Sequence, residues 1–115
     1  MKYIRTKEKI YNTDDLRVAE YLTGNPYVVR NDGTCIYKNT IEREADTIED
    51  LCDTFVFSVS EGKLVVDSFT KAKEYYNAGK KENMTFSLFG AIWTDIGLIY
   101  VAKMNDKGEL ELLWN

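Results

Sequence analysis

Residues 90–115 read GAIWTDIGLIYVAKMNDKGELELLWN, a stretch that is more than half apolar and holds both tryptophans of the chain. Such a segment is either a surface that grips a partner or the core of a sheet, and its punctuation decides between them. NDKG (105–108) separates LIYVAKM (98–104) from ELELLW (109–114). An Asn-Asp-Lys-Gly run suits a type I turn followed by a glycine in the left-handed region, a tight hairpin connection. TDIG (94–97) separates SLFGAIW from LIYVAKM in the same way. Strands joined by short turns predict a three-stranded antiparallel meander. In its last strand Leu110, Leu112 and Trp114 fall on one face and Glu109 and Glu111 on the other, so one face should be dry. LIYVA is apolar on both faces, as a central strand is. The stretch therefore reads mainly as core, and a buried Trp93 or Trp114 would be worth about 3–5 kcal/mol.

The same logic runs upstream. FVFSVSEGKLVVDS predicts a hairpin turning at Glu61-Gly62, PYVVRNDGTCIYK one turning at Asn31-Asp32-Gly33, and MKYIRTKEKIY strands joined near Lys7-Glu8. TDDLRVAEYL reads as strand, although Thr13 is placed to cap a helix. Two segments read as helix. In DTIEDLCDTF, Thr47 and Asp50 resemble a capping box, and Ile48, Leu51, Cys52 and Phe55 fall at i, i+3, i+4 and i+7. SFTKAKEYYNAG starts at a capping Ser68 and should stop at Gly79, with Phe69, Ala72 and Tyr76 turned inward. The expected fold is α+β, a single domain over residues 1–115: a largely antiparallel sheet of hairpins with a C-terminal three-stranded meander and two short helices packed on it.

Composition narrows the chemistry. The chain has no histidine, which removes Ser-His and Cys-His nucleophiles and most metal-dependent mechanisms. GxGxxG, GxSxG and HExxH motifs are absent, and NAGKKEN (77–83) lacks the leading glycine, the spacing and the hydroxyl residue of a phosphate loop. The expectation is a non-enzymatic protein with no cofactor and no metal. Cys35 and Cys52 lack ligand partners at metal-binding spacing, and are expected to be free, buried thiols. The charged start MKYIRTKEKIY has no hydrophobic signal region, and the longest apolar run, GLIYVA, is too short to span a bilayer, so a cytoplasmic protein is expected.

Net charge is −4, and residues 39–62 hold seven acids against one base. That balance argues against nucleic-acid binding through backbone phosphates and leaves an acidic face for a basic partner. On the expected first helix Asp46, Glu49, Asp50 and Asp53 share the face opposite the apolar stripe, a candidate partner-binding ridge. Tyr75 and Tyr76 with Lys71, Lys73, Lys80 and Lys81 are a weaker candidate for stacking and charge, more simply read as one core ring among solvated lysines.

MKYIRTKEKIY, EADTIEDLCDTFVF and GAIWTDIGLIYVAKMNDKGELELL together resemble a family of small uncharacterised phage and prophage proteins of Firmicutes. The resemblance spans both ends and the segment 46–55, not residues 11–40 or 63–88. It brings no catalytic residues with it. It implies a bacterial host cytoplasm and a phage accessory role. The leading expectation is thus a protein-binding module acting on an unknown host or phage protein. One alternative is an anti-defence or DNA-mimic inhibitor acting through the acidic surface. Another is a small-ligand or nucleotide-binding domain with Arg5, Arg17, Arg30 or Arg43 as anion partners. A homodimer through the C-terminal strand is also expected, because an edge strand offers free backbone groups to a second copy.

Overall fold

In a computed structural model the protein is described over residues 2–113, so Trp114, expected on the dry face of the last strand, lies outside the described residues. The structure is mixed α and β, mostly antiparallel strands with one α-helix and several short 3-10 turns. It divides into two compact units that meet in sequence at Leu51 and Cys52.

The first unit holds six short strands: β1 (Tyr3–Arg5), β2 (Ile10–Asn12), β3 (Leu16–Val18), β4 (Tyr27–Val29), β5 (Cys35–Ile36) and β6 (Arg43–Ala45). They form two three-stranded antiparallel sheets, ordered β2-β1-β6 and β3-β4-β5. Ile4, Leu16, Val29 and Ile36 form the buried centre, with Tyr11, Tyr27 and Ile41 packed around it. The expected hairpin at Asn31-Asp32-Gly33 forms: Gly33 takes φ +74° and the Asp32 carboxylate accepts the Thr34 N–H at 2.8 Å. TDDLRV splits between a 3-10 turn at Thr13–Asp15, capped by the Asn12 side chain, and β3.

The second unit is a five-stranded antiparallel sheet with the helix on one face. Its elements are β7 (Thr54–Val59), β8 (Gly62–Val66), α1 (Phe69–Lys81), β9 (Ser87–Thr94), β10 (Gly97–Met104) and β11 (Leu110–Leu112), and the sheet order is β11-β10-β9-β7-β8. Phe55, Val66, Leu88 and Met104 meet Ala72 and Tyr76 of α1 in the core, and Leu110 packs against it. The closing stretch does supply core, through Ala91, Ile92, Val101, Ala102 and Met104. Gly108 takes the left-handed φ of +79° that NDKG calls for. The β7–β8 turn falls on Ser60-Glu61, one residue earlier than expected, because Val59 pairs with Gly62.

The helix expected from residue 46 does not form. Residues 46–48 bend, Glu49–Leu51 make a single 3-10 turn, and the chain enters β7 at Thr54. TFVFSV is a β-branched and aromatic run paired on both sides, by β8 and β9. Phe55 is thereby claimed by the sheet, and the segment left over is too short for an α-helix worth its nucleation cost. Ile48 and Leu51 are buried as expected, but from a turn.

The second helix forms and runs past Gly79 to Lys81, with Ser68 Oγ accepting the Lys71 N–H. Gly79 is therefore an interior glycine. A Cβ there would lie 2.6 Å from Phe86 Cε1. The Phe86 ring is held by stacking on Phe57 at 5.0 Å and by its edge-on contact with Tyr76 at 5.6 Å, so it has little room to retreat. Helix propensity alone favours Gly79→Ala by about 1 kcal/mol. The clash reverses the sign, and a net loss of about 1–3 kcal/mol is expected in urea unfolding.

Neither cysteine forms a disulfide; Cys52 is half-buried against the second unit's core and Cys35, against expectation, is exposed. Exposure of Cys35 on the short strand β5 means that an aromatic disulfide reagent should titrate one thiol rapidly in the native protein. The second should appear only on unfolding. Two equally fast thiols, or none, would contradict this packing.

Candidate partner-binding surface

Without a helix, the 3.6-residue period no longer gathers the four acids on one face. Asp46 and Asp50 are exposed and Glu49 is half-buried around the 3-10 turn of the first unit. Asp53 belongs to the second unit and has a defined task. Its backbone N–H donates to Ala91 O at 2.9 Å, and its carboxylate accepts the Trp93 N–H at 2.8 Å. Strand β7 begins at Thr54, opposite Ala91, so Trp93 lies beyond the first residue of its neighbour. The Asp53 carboxylate stands in for the missing ladder acceptor there.

That arrangement exposes what the sequence placed inside. Trp93 is 60% exposed and Ile96, in the adjoining turn, 89% exposed. Trp93 pairs with Leu98, and the two-residue turn Asp95-Ile96 closes the hairpin. Thr94 Oγ1 donates to Gly97 O at 2.8 Å and accepts the Ile96 N–H at 3.3 Å, so the turn is held from inside. The result is a large ring and a branched aliphatic chain on a braced hairpin, with the carboxylates of Asp53 and Asp95 beside them. Only two χ angles of Trp93 would need fixing on contact, which keeps the entropic cost of binding low.

The other candidates are occupied by structural work. Arg5 is buried, donating from Nη1 to Leu51 O at 2.8 Å with Nε 3.3 Å from Glu42 Oε1, and Arg43 Nη2 reaches the same carbonyl at 3.3 Å. Only Arg17 and Arg30 of the four arginines remain at the surface without such a contact to Leu51. On α1, Tyr76 is core and its hydroxyl donates to Asn105 O at 2.7 Å, while Lys80 sits over its ring. This is the plain reading of the tyrosine–lysine cluster.

The first unit has an open groove of about 530 Å³, lined in part by Thr6, Lys7, Tyr11, Cys35, Ile41 and Glu42. Burial, then the charges of Asp32 and Glu8, push the Tyr11 phenol above its ordinary range. The Thr34 backbone N–H, and then its side chain, hold the Asp32 carboxyl below its own. Lys7, Glu8 and Glu42 give the groove a rim of mixed charge. Among the described residues no three His, Cys, Asp or Glu side chains converge as a metal site, and no helix is long and apolar enough to cross a membrane.

Comparison of the chain with family models, curated proteins and solved structures finds no match. Nothing is inherited from relatives, and the functional reading rests on the geometry above.

Exposure of Trp93 had no signal in the sequence. Pairing with β7 puts Leu88 and Gly90 on one face of β9 and Phe89 and Ala91 on the other, but the sequence does not say where the neighbouring strand starts. Asp53, one of the four candidate ridge acids, immediately precedes that start.

Proposed function

We propose that the protein is a non-enzymatic binding module, an accessory factor of the phage type, that engages a partner protein through the β9–β10 hairpin tip. The observation that carries this reading is the 60% exposure of Trp93 on a braced hairpin, next to Ile96. Tryptophan is enriched among residues that dominate binding energy, and a partner would meet it with an apolar socket. Asp53 and Asp95 give that partner a basic rim, which would favour approach and set register rather than add much affinity. The acidic component of the expectation thus moves from a helical ridge to two carboxylates flanking an aromatic anchor. The ligand-binding alternative loses two of the arginines it relied on, Arg5 and Arg43, to the Leu51 carbonyl.

Photo-crosslinking tests the location. A photoreactive residue at position 96 should give a discrete covalent adduct with one protein in a bacterial lysate. The same residue at Lys107, in the exposed turn at another end of the sheet, should give none. Equal labelling from both positions would sink the assignment.

A further inference from the structure

Among the described residues strand β8 is an edge of the five-stranded sheet and pairs only with β7. It carries five residues, Gly62–Val66, with no bulge in its pairing. Leu64 is 45% and Val65 58% exposed. Natural edges are usually blunted by proline, bulges or several charges, and this one has a single lysine. We propose that β8 pairs antiparallel with β8 of a second copy, joining two sheets into one of ten strands.

The occupant follows from self-complementarity. In an antiparallel pair, residues directly opposite lie on the same face, so a two-fold axis must pass midway between one residue and its own copy. Leu64 pairs with Phe57, whose ring lies 5.7 Å from Tyr75 of α1, so Leu64 and Val66 are on the helix side. Lys63, Val65 and Asp67 alternate to the other side, where Lys63 Nζ sits 5.3 Å from the Tyr100 ring centre. Centring the axis on Val65 places Val65 against its copy and Leu64 against Val66 twice. It also sets Lys63 opposite Asp67 at both ends, so each copy supplies the counter-charge the other needs. Centring on Leu64 sets Lys63 against Val65 and leaves the charges unmatched. The axis is perpendicular to the sheet, and both helices stay on one face.

The opposite edge, β11, expected from sequence as the dimer contact, suits this poorly. It has three residues with Glu111 in the middle, and pairing about that centre sets Glu111 against Glu111. Two short strands bury less than a standard interface, so association in the micromolar range is expected.

Sedimentation equilibrium on the full chain at about 100 μM, well above that range, should give twice the 13.3 kDa chain mass. Lys63→Asp and Asp67→Lys each place two like-charge pairs across the axis and should raise the dimer dissociation constant about ten-fold. The double swap should restore it to within about three-fold. Both positions are exposed, and far-UV circular dichroism of each variant verifies its fold. A monomer at the highest concentration overturns the proposal. So does a dimer indifferent to the single swaps or not rescued by the double one, which would place the contact elsewhere, at β11 or the Trp93 tip.

Discussion

Ile92→Ala is expected to destabilise the second unit by about 2–5 kcal/mol, while Trp93→Ala, one residue along the same strand, should cost less than about 1 kcal/mol. Ile92 is fully buried on the helix side of β9. Truncation there removes transfer energy and leaves a cavity at a site with no exposed surface. Trp93 projects past the end of β7, and its backbone is held by Asp53 whatever its side chain. On binding, the order should invert. Trp93→Ala removes the anchor, and a loss of 2 kcal/mol or more, about 30-fold in affinity, is the hot-spot expectation. Urea unfolding followed by far-UV circular dichroism checks the stability half. A Trp93→Ala protein that unfolds as readily as Ile92→Ala would mean that the ring is core after all.

This contrast marks how much of the molecule was legible in sequence. Period-2 patterning and glycine-bearing turns identify the hairpins, because side-chain alternation and left-handed glycine are local requirements, met by Gly33 and Gly108 alike. Ser68 identifies the helix start for the same reason. Failures came where the outcome depends on a distant segment. DTIEDLCDTF has a helical stripe, but Phe55 gains more from pairing beside Gly90 and Val66 than from a turn of helix. Gly79 looked like a cap because the ring that needs its missing Cβ, Phe86, lies beyond the helix. Of the candidate acids, Asp53 shares no helical face with the others, yet it adjoins the proposed surface.

Arg5→Ala should cost the first unit about 2–4 kcal/mol, because it removes a buried charged hydrogen bond together with the stem that fills the space around it. Arg5 is 6% exposed, and its guanidinium enters from the middle strand of its sheet and donates to the carbonyl that ends the 3-10 turn. Its removal strips the Leu51 carbonyl of its shorter hydrogen bond, leaving the 3.3 Å contact from Arg43. It also empties the space of a long aliphatic stem. Arg5→Met restores the stem without the donor, so it should recover part of the loss. Calorimetric melting of the three proteins checks the order wild type, Arg5→Met, Arg5→Ala. An Arg5→Met protein as stable as wild type would show that packing alone explains the residue.

Quantitative capture from a bacterial lysate, comparing wild type with the folded Trp93→Ala/Ile96→Ser variant, tests most directly whether the hairpin tip is the binding surface. A defined protein should be retained by wild type and by a Tyr21→Ala control in the first unit, and depleted about 30-fold or more on the tip variant. Identical capture profiles for wild type and the tip variant would contradict it.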